Sequence, residues 1–125
     1  MRTHKMLCES SMKNLSIIEQ YFDSPLPKDY RDFLSNHSEE LDGDVYLYLS
    51  EDLIERNECY ETKKYAPGYI NIGDDGGGMA FILNFNENDP AVYAVGHGSM
   101  DPSLKEFVSS SFQEWLNGGL VYEEE

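Results

Sequence analysis

The sequence predicts an α+β fold, with helices packed on one face of an antiparallel sheet of about four or more strands. Three observations carry this expectation. Helix-period apolar patterns stand at both ends of the chain. Compact β-prone runs cluster after the first helices. The last two of those runs are separated by Asn86-Glu87-Asn88-Asp89-Pro90, a composition suited to a hairpin turn. The 125 residues show no internal repeat and no linker, so the whole chain, 1–125, reads as one domain with its core at about 15–118. A chain of this length buries enough surface for one real core.

Each element has its own signal. Residues 1–12 are polar and read as a loose start. Leu15, Ile17, Ile18, Tyr21 and Phe22 recur at roughly helical spacing and predict a short amphipathic helix. Asp23-Ser24-Pro25-Leu26-Pro27 ends it, because proline lacks a backbone donor and restrains its predecessor. Pro27 suits the first turn of a second helix. Tyr30, Phe33 and Leu34 share one face of that helix, and Ser38–Asp44 follows as a solvated turn.

Val45–Leu49 is a compact β-prone run. Ser50 is placed to cap a third helix through Leu53, Ile54 and Asn57 toward Tyr60. Tyr69–Ile72, Met79–Phe85 and Ala91–Val95 read as three further strands forming a meander. The start of the last helix has two solutions. Asp101 with Pro102 caps it early, or Ser111 with Glu114 forms a capping box that leaves Phe107 and Val108 extended. Gly118 and Gly119 supply its stop signal, and Glu123–Glu125 reads as a frayed tail.

The formal charge is −15 and uneven. Residues 1–64 carry 8 basic and 14 acidic side chains; residues 65–125 carry Lys105 alone against 10 acidic ones. Such a field repels nucleic acid and anionic membranes and favours a basic protein partner. No stretch approaches the ~20 apolar residues that span a bilayer. Cys8 and Cys59 form no metal or disulfide pattern, and Cys59 reads as a quiet, partly buried thiol. The expectation is a reduced, cytoplasmic protein without a cofactor.

Gly73-Asp74-Asp75-Gly76-Gly77-Gly78 is the segment that most resembles a site. Adjacent aspartates in an extended chain point to opposite faces. The alternating acidic ligands of a calcium loop are missing. The Gly-Lys-Ser/Thr of a phosphate loop is missing too, since Met79-Ala80 follows the glycines. His97 sits in Gly96-His97-Gly98-Ser99, which is not a nucleophile elbow. The segment therefore reads as a turn rather than a catalytic or metal centre. A small hydrolase using Asp74, Asp75 and His97 is the weakest of the readings.

Five segments, taken in order, resemble the SUKH superfamily, also called the SMI1/KNR4 family. Leu26-Pro27-Lys28-Asp29-Tyr30-Arg31-Asp32-Phe33-Leu34 is similar to its LP-x-D/E-Y-x-x-F-L opening. Leu53–Asn57 with Tyr60 and Pro67 resembles its middle. Ile72–Gly78 resembles its I-G-x-D-G-x-G motif, Val92-Tyr93 its V-Y strand end, and Ser111–Leu116 its S-F-x-E-F-L helix. Two features depart from the pattern: Ser38–Gly43 replaces the usual Asn-Gly after the second helix, and Leu49 stands where tryptophan is frequent. The resemblance implies a non-enzymatic bacterial immunity protein that binds and neutralises a toxin, often a nuclease. The alternative it implies is a regulatory scaffold or adaptor. Glu39, Glu40, Asp42 and Asp44, then Asp74 and Asp75, are the candidate partner-binding residues, chosen for charge and expected exposure.

Overall fold

The computed structural model describes residues 14–36, 45–85 and 90–122. The polar start, the Ser38–Asp44 turn, the Asn86–Asp89 part of the hairpin and the tail Glu123–Glu125 lie outside the described residues. Within them, helix α1 covers residues 14–22, α2 Lys28–Asn36, α3 Leu53–Cys59, α4 Thr62–Tyr65 and α5 Phe112–Asn117. The strands are β1 Tyr46–Leu47, β2 Tyr69–Asp74, β3 Met79–Asn84, β4 Val92–Gly96 and β5 Glu106–Ser109. They form one sheet in the order β1-β2-β3-β4-β5, antiparallel throughout. This is the α+β meander expected, with one more short helix (α4) and one more strand (β5) than the sequence reading counted.

The period of two divides the strands between two faces. Ile70, Ile72, Phe81, Leu83, Val92 and Ala94 join the main core with Leu15, Ile18, Tyr30, Leu34, Phe112 and Trp115 from the helices. Ring contacts tie α2 to α5: Phe112 meets Tyr30 edge-on at 5.3 Å and Phe33 at 5.6 Å. Ala80, Ile82, Val95 and Met100 form a second buried cluster on the other face. Tyr60, the residue after α3, packs against this second cluster with Tyr69 and Tyr93, so the central strands are buried on this face as well. This explains why β3 reads as a nearly continuous apolar run and why four successive residues of both β2 and β3 are buried.

Local details follow the sequence with exceptions. Ile17 is 44% exposed, so only part of the α1 pattern faces the core. Asp23 ends α1 in the left-handed region, and Glu19 accepts from the Leu26 N–H at 2.7 Å, fastening the turn into α2. Ser50 does not cap α3. Its hydroxyl accepts from Asn14, and Asp52 occupies the N-cap position without a side-chain bond. Val45–Leu49 yields only a two-residue strand. Cys59 is exposed rather than partly buried, because it falls on the outer side of α3. Both solutions for the last helix are used. Asp101 caps a separate 3-10 turn, Pro102–Leu104, and Ser111 caps α5 by accepting from the Glu114 N–H at 2.9 Å. The box is half made, since the Glu114 carboxylate instead accepts from the Ser110 hydroxyl.

One side chain joins α3 to the sheet. β1 is too short to cover the edge of β2. The Asn57 amide takes over where it ends, accepting from the Asn71 N–H at 2.9 Å and donating to the Asn71 carbonyl at 2.9 Å. It also donates to the Leu53 carbonyl at 2.8 Å. Asn57 is fully buried, so no water replaces these bonds. Asn57→Ala should destabilise the fold by about 3 kcal/mol, since it orphans a buried donor and acceptor. Urea unfolding measures this, and a loss near zero would overturn the assigned role.

Candidate functional site

The glycine-rich turn connects β2 and β3. Its geometry is set by a bulge in β2 between Asn71 and Gly73 and by the close approach of β1. A Cβ at Gly73 would collide with the Tyr46 carbonyl oxygen and meet Leu47 Cα at 3.1 Å. Gly78 has φ +113°, a conformation open to glycine but strained for other residues. The two aspartates are the turn's internal hydrogen-bond acceptors. Asp74 accepts from the Gly76 N–H at 2.9 Å through one oxygen and from the Tyr48 hydroxyl at 2.7 Å through the other. Asp75 Oδ1 accepts from the Gly77 and Met79 N–H groups at 2.7 and 3.1 Å. These are local side-chain-to-backbone bonds of the kind that fix turns. They hold both carboxylates half-buried while Gly76–Gly78 stay exposed.

Residues absent from the sequence reading of the site surround the turn. Tyr46 is 47% exposed and its ring lies beside Gly76. The buried Tyr48 phenol is held protonated far above its ordinary range, first by desolvation and then by its bond to Asp74. Arg56 places its guanidinium carbon 5.6 Å from the Tyr48 ring centre. Tyr60 stacks flat on His97, with ring centres 3.7 Å apart. His97 reaches this place because its own N–H is bonded to the Gly78 carbonyl at 2.8 Å. A single signal for these residues existed in the sequence. Leu53, Asn57 and Tyr60 lie on one helical stripe, and a polar residue on an apolar stripe asks for a buried partner.

The structure therefore brings Asp74, Asp75 and His97 to one end of the sheet. Their atoms are differently committed. His97 Nε2 is buried without a hydrogen-bond partner, so that nitrogen is not bridged to either carboxylate. Burial lowers the His97 pKa below the ordinary imidazole value. Asp74 and Asp75 pull it back up, and Arg56 pushes it down. Among the described residues no group of three or more His, Cys, Asp or Glu is arranged to hold a metal ion. Glu39, Glu40, Asp42 and Asp44 lie outside the described residues. No helix among the described residues is long and apolar enough to cross a membrane.

Fold and site together define a small α+β domain in which an acidic glycine turn, closed by its own aspartates, links the two central strands. Residues 10–118 match the SMI1 / KNR4 family (SUKH-1), and the chain belongs to that family. The match takes in the turn, α2, α3 and α5, the segments that carried the resemblance. No curated protein matches the chain.

Gly73→Ala should cost about 1–3 kcal/mol, because the added methyl meets backbone rather than a movable side chain. Thermal or urea unfolding reads it, and an unchanged midpoint would show that β1 gives way. His97 has a folded pKa below its unfolded value, so its neutral form contributes stability above the ordinary imidazole pKa. That contribution is lost as pH falls from there through the folded value. Between about pH 7.5 and about pH 5.5 the wild-type urea midpoint should fall more than that of His97→Phe, which keeps a flat ring on Tyr60. Equal slopes would assign the pH dependence to other groups.

Proposed function

We propose that this chain is an immunity protein that neutralises a cognate bacterial toxin of nuclease type by direct binding in the cytoplasm. The observation that carries the reading is the pairing of family membership with a charge of −15, carried in the second half by ten acidic residues against Lys105 alone. A nuclease presents a basic surface to phosphates, and an acidic domain is complementary to it. The domain acts without catalysis. The carboxylates of Asp74 and Asp75 serve the turn's own N–H groups and Tyr48, which suits a rigid acidic surface better than acid–base chemistry. Asp74 and Asp75, with Glu39, Glu40, Asp42 and Asp44, are the acidic residues assigned to docking.

The test is binding to the toxin domain encoded beside this chain. A tight complex is expected whose affinity falls by about tenfold or more between roughly 50 and 500 mM salt. Neutralising Glu39, Glu40, Asp42 and Asp44 together as Gln and Asn should slow association while the fold is kept. Cells expressing the toxin should survive only with the wild-type chain. No complex at low salt, together with several weak unrelated partners, would replace immunity by a scaffold role. Loss of protection in a folded Asp74→Asn, Asp75→Asn, His97→Phe variant that still binds the toxin would reinstate a catalytic reading.

A further inference from the structure

The other end of the sheet carries a second feature, distinct from the acidic turn. β5 is the outer strand, and among the described residues nothing pairs with its far side. The direction of its backbone groups follows from one bond. The Gly78 carbonyl accepts from the His97 N–H, so Gly78 and His97 form a bonded pair. Counting by twos makes Ala80↔Val95 and Ile82↔Tyr93 bonded pairs as well. The Tyr93 backbone groups are thus directed at β3. Phe107, opposite Tyr93, is in a non-bonded pair, and its N–H and carbonyl point outward. The close ring contact of Tyr93 with Phe107, 6.2 Å and edge-on, agrees with such a pair.

Beside these open backbone groups the Phe107 side chain is 66% exposed and Leu104 is 65% exposed. Two large apolar side chains flanking an open edge form the pattern that strand addition uses: main-chain bonds for affinity and alternate side chains for selectivity. Charge decides the occupant. Glu106 on β5 is exposed, and Lys105, the one Lys or Arg after residue 64, is exposed too, with its ammonium held over the Tyr93 ring at 5.1 Å. A second copy of a chain with charge −15 is repelled from this edge. A basic segment is attracted to it.

We propose that the outer edge of β5 docks an extended, basic segment of a partner protein, which joins the sheet as an added strand with apolar side chains against Phe107 and Leu104. This rests on the protein-binding reading above and adds the mode of contact. The probe is a capped eight-residue peptide of alternating lysine and valine, with a glutamate–valine peptide as control. Amide exchange and nitrogen–proton spectra of the full chain read the result. The lysine peptide should bind saturably and slow exchange at the Phe107 N–H by about tenfold or more. The glutamate peptide should do neither.

Phe107→Pro removes the outward donor without touching the bonds to β4, and should weaken binding by about tenfold. If that variant does not fold, Phe107→Ser, which removes the ring alone, should weaken it by about threefold. Unchanged exchange at Phe107, equal binding by the variants, or dimerisation of the chain through β5 would overturn the proposal. A toxin domain that binds and leaves the β5 amides unprotected overturns the added strand but not immunity. Peptide docking at β5 without any toxin complex overturns immunity but not the edge.

Discussion

The fold depends on how the first edge of the sheet is closed, and a single amide closes it. β1 contributes two residues, too few to pair the length of β2. Asn57 supplies the missing partner by bonding both backbone groups of Asn71, as a neighbouring strand would. A buried edge left open would cost the desolvation of an N–H and a carbonyl together. The same contact fixes the rotation and height of α3. That in turn sets Arg56 over Tyr48 and Tyr60 against His97. The surroundings of the acidic turn are thus a consequence of a structural bond some distance along the helix.

The turn shows how an acidic cluster can be structural and still shape the surface. Its glycines give up side chains so that β1 can approach at Gly73 and the backbone can reverse near Gly78. The exposed N–H groups this creates need acceptors, and Asp74 and Asp75 provide them. The geometry of each carboxylate is fixed from within. An anion held rigid in this way loses little entropy when a cationic partner arrives. Tyr48 couples the turn to the core, because its ring is buried and its hydroxyl ends on Asp74.

The two ends of the sheet solve the edge problem differently. At β1 a helix side chain covers what the strand leaves open. At β5 the strand is short, bears Glu106 and has a bulge within its pairing with β4, all devices that discourage unwanted pairing. The apolar exposure of Phe107 and Leu104 runs against those devices. Between the edges, the central strands are buried on both faces, which gives the sheet a rigid middle from which both surfaces are presented.

The sequence by itself determined the class of fold, the order of most elements and the family. Apolar periods, proline and glycine punctuation and the Ser111 cap are local physics and hold for most elements, while Ile17 of the α1 pattern stays exposed and Ser50 leaves α3 uncapped. It also placed Asp75 and the glycines in a turn, since no ligand set or phosphate-loop lysine accompanies them, whereas the structure extends β2 through Asp74, which pairs with Tyr46 and Ala80. Tertiary structure decided what local signals cannot carry. Val45–Leu49 has the composition of a full strand, yet its length of pairing is limited by the Asn57 contact, which joins residues 14 positions apart. β5 was legible only as one of two alternatives, because Phe107 and Val108 suit a helix period and a strand equally until Tyr93 is beside them. The burial of the second face, the exposure of Cys59 and the stacking of Tyr60 on His97 all follow from where α3 lies on the sheet. That placement is a long-range hydrogen-bonding requirement, and no local period encodes it.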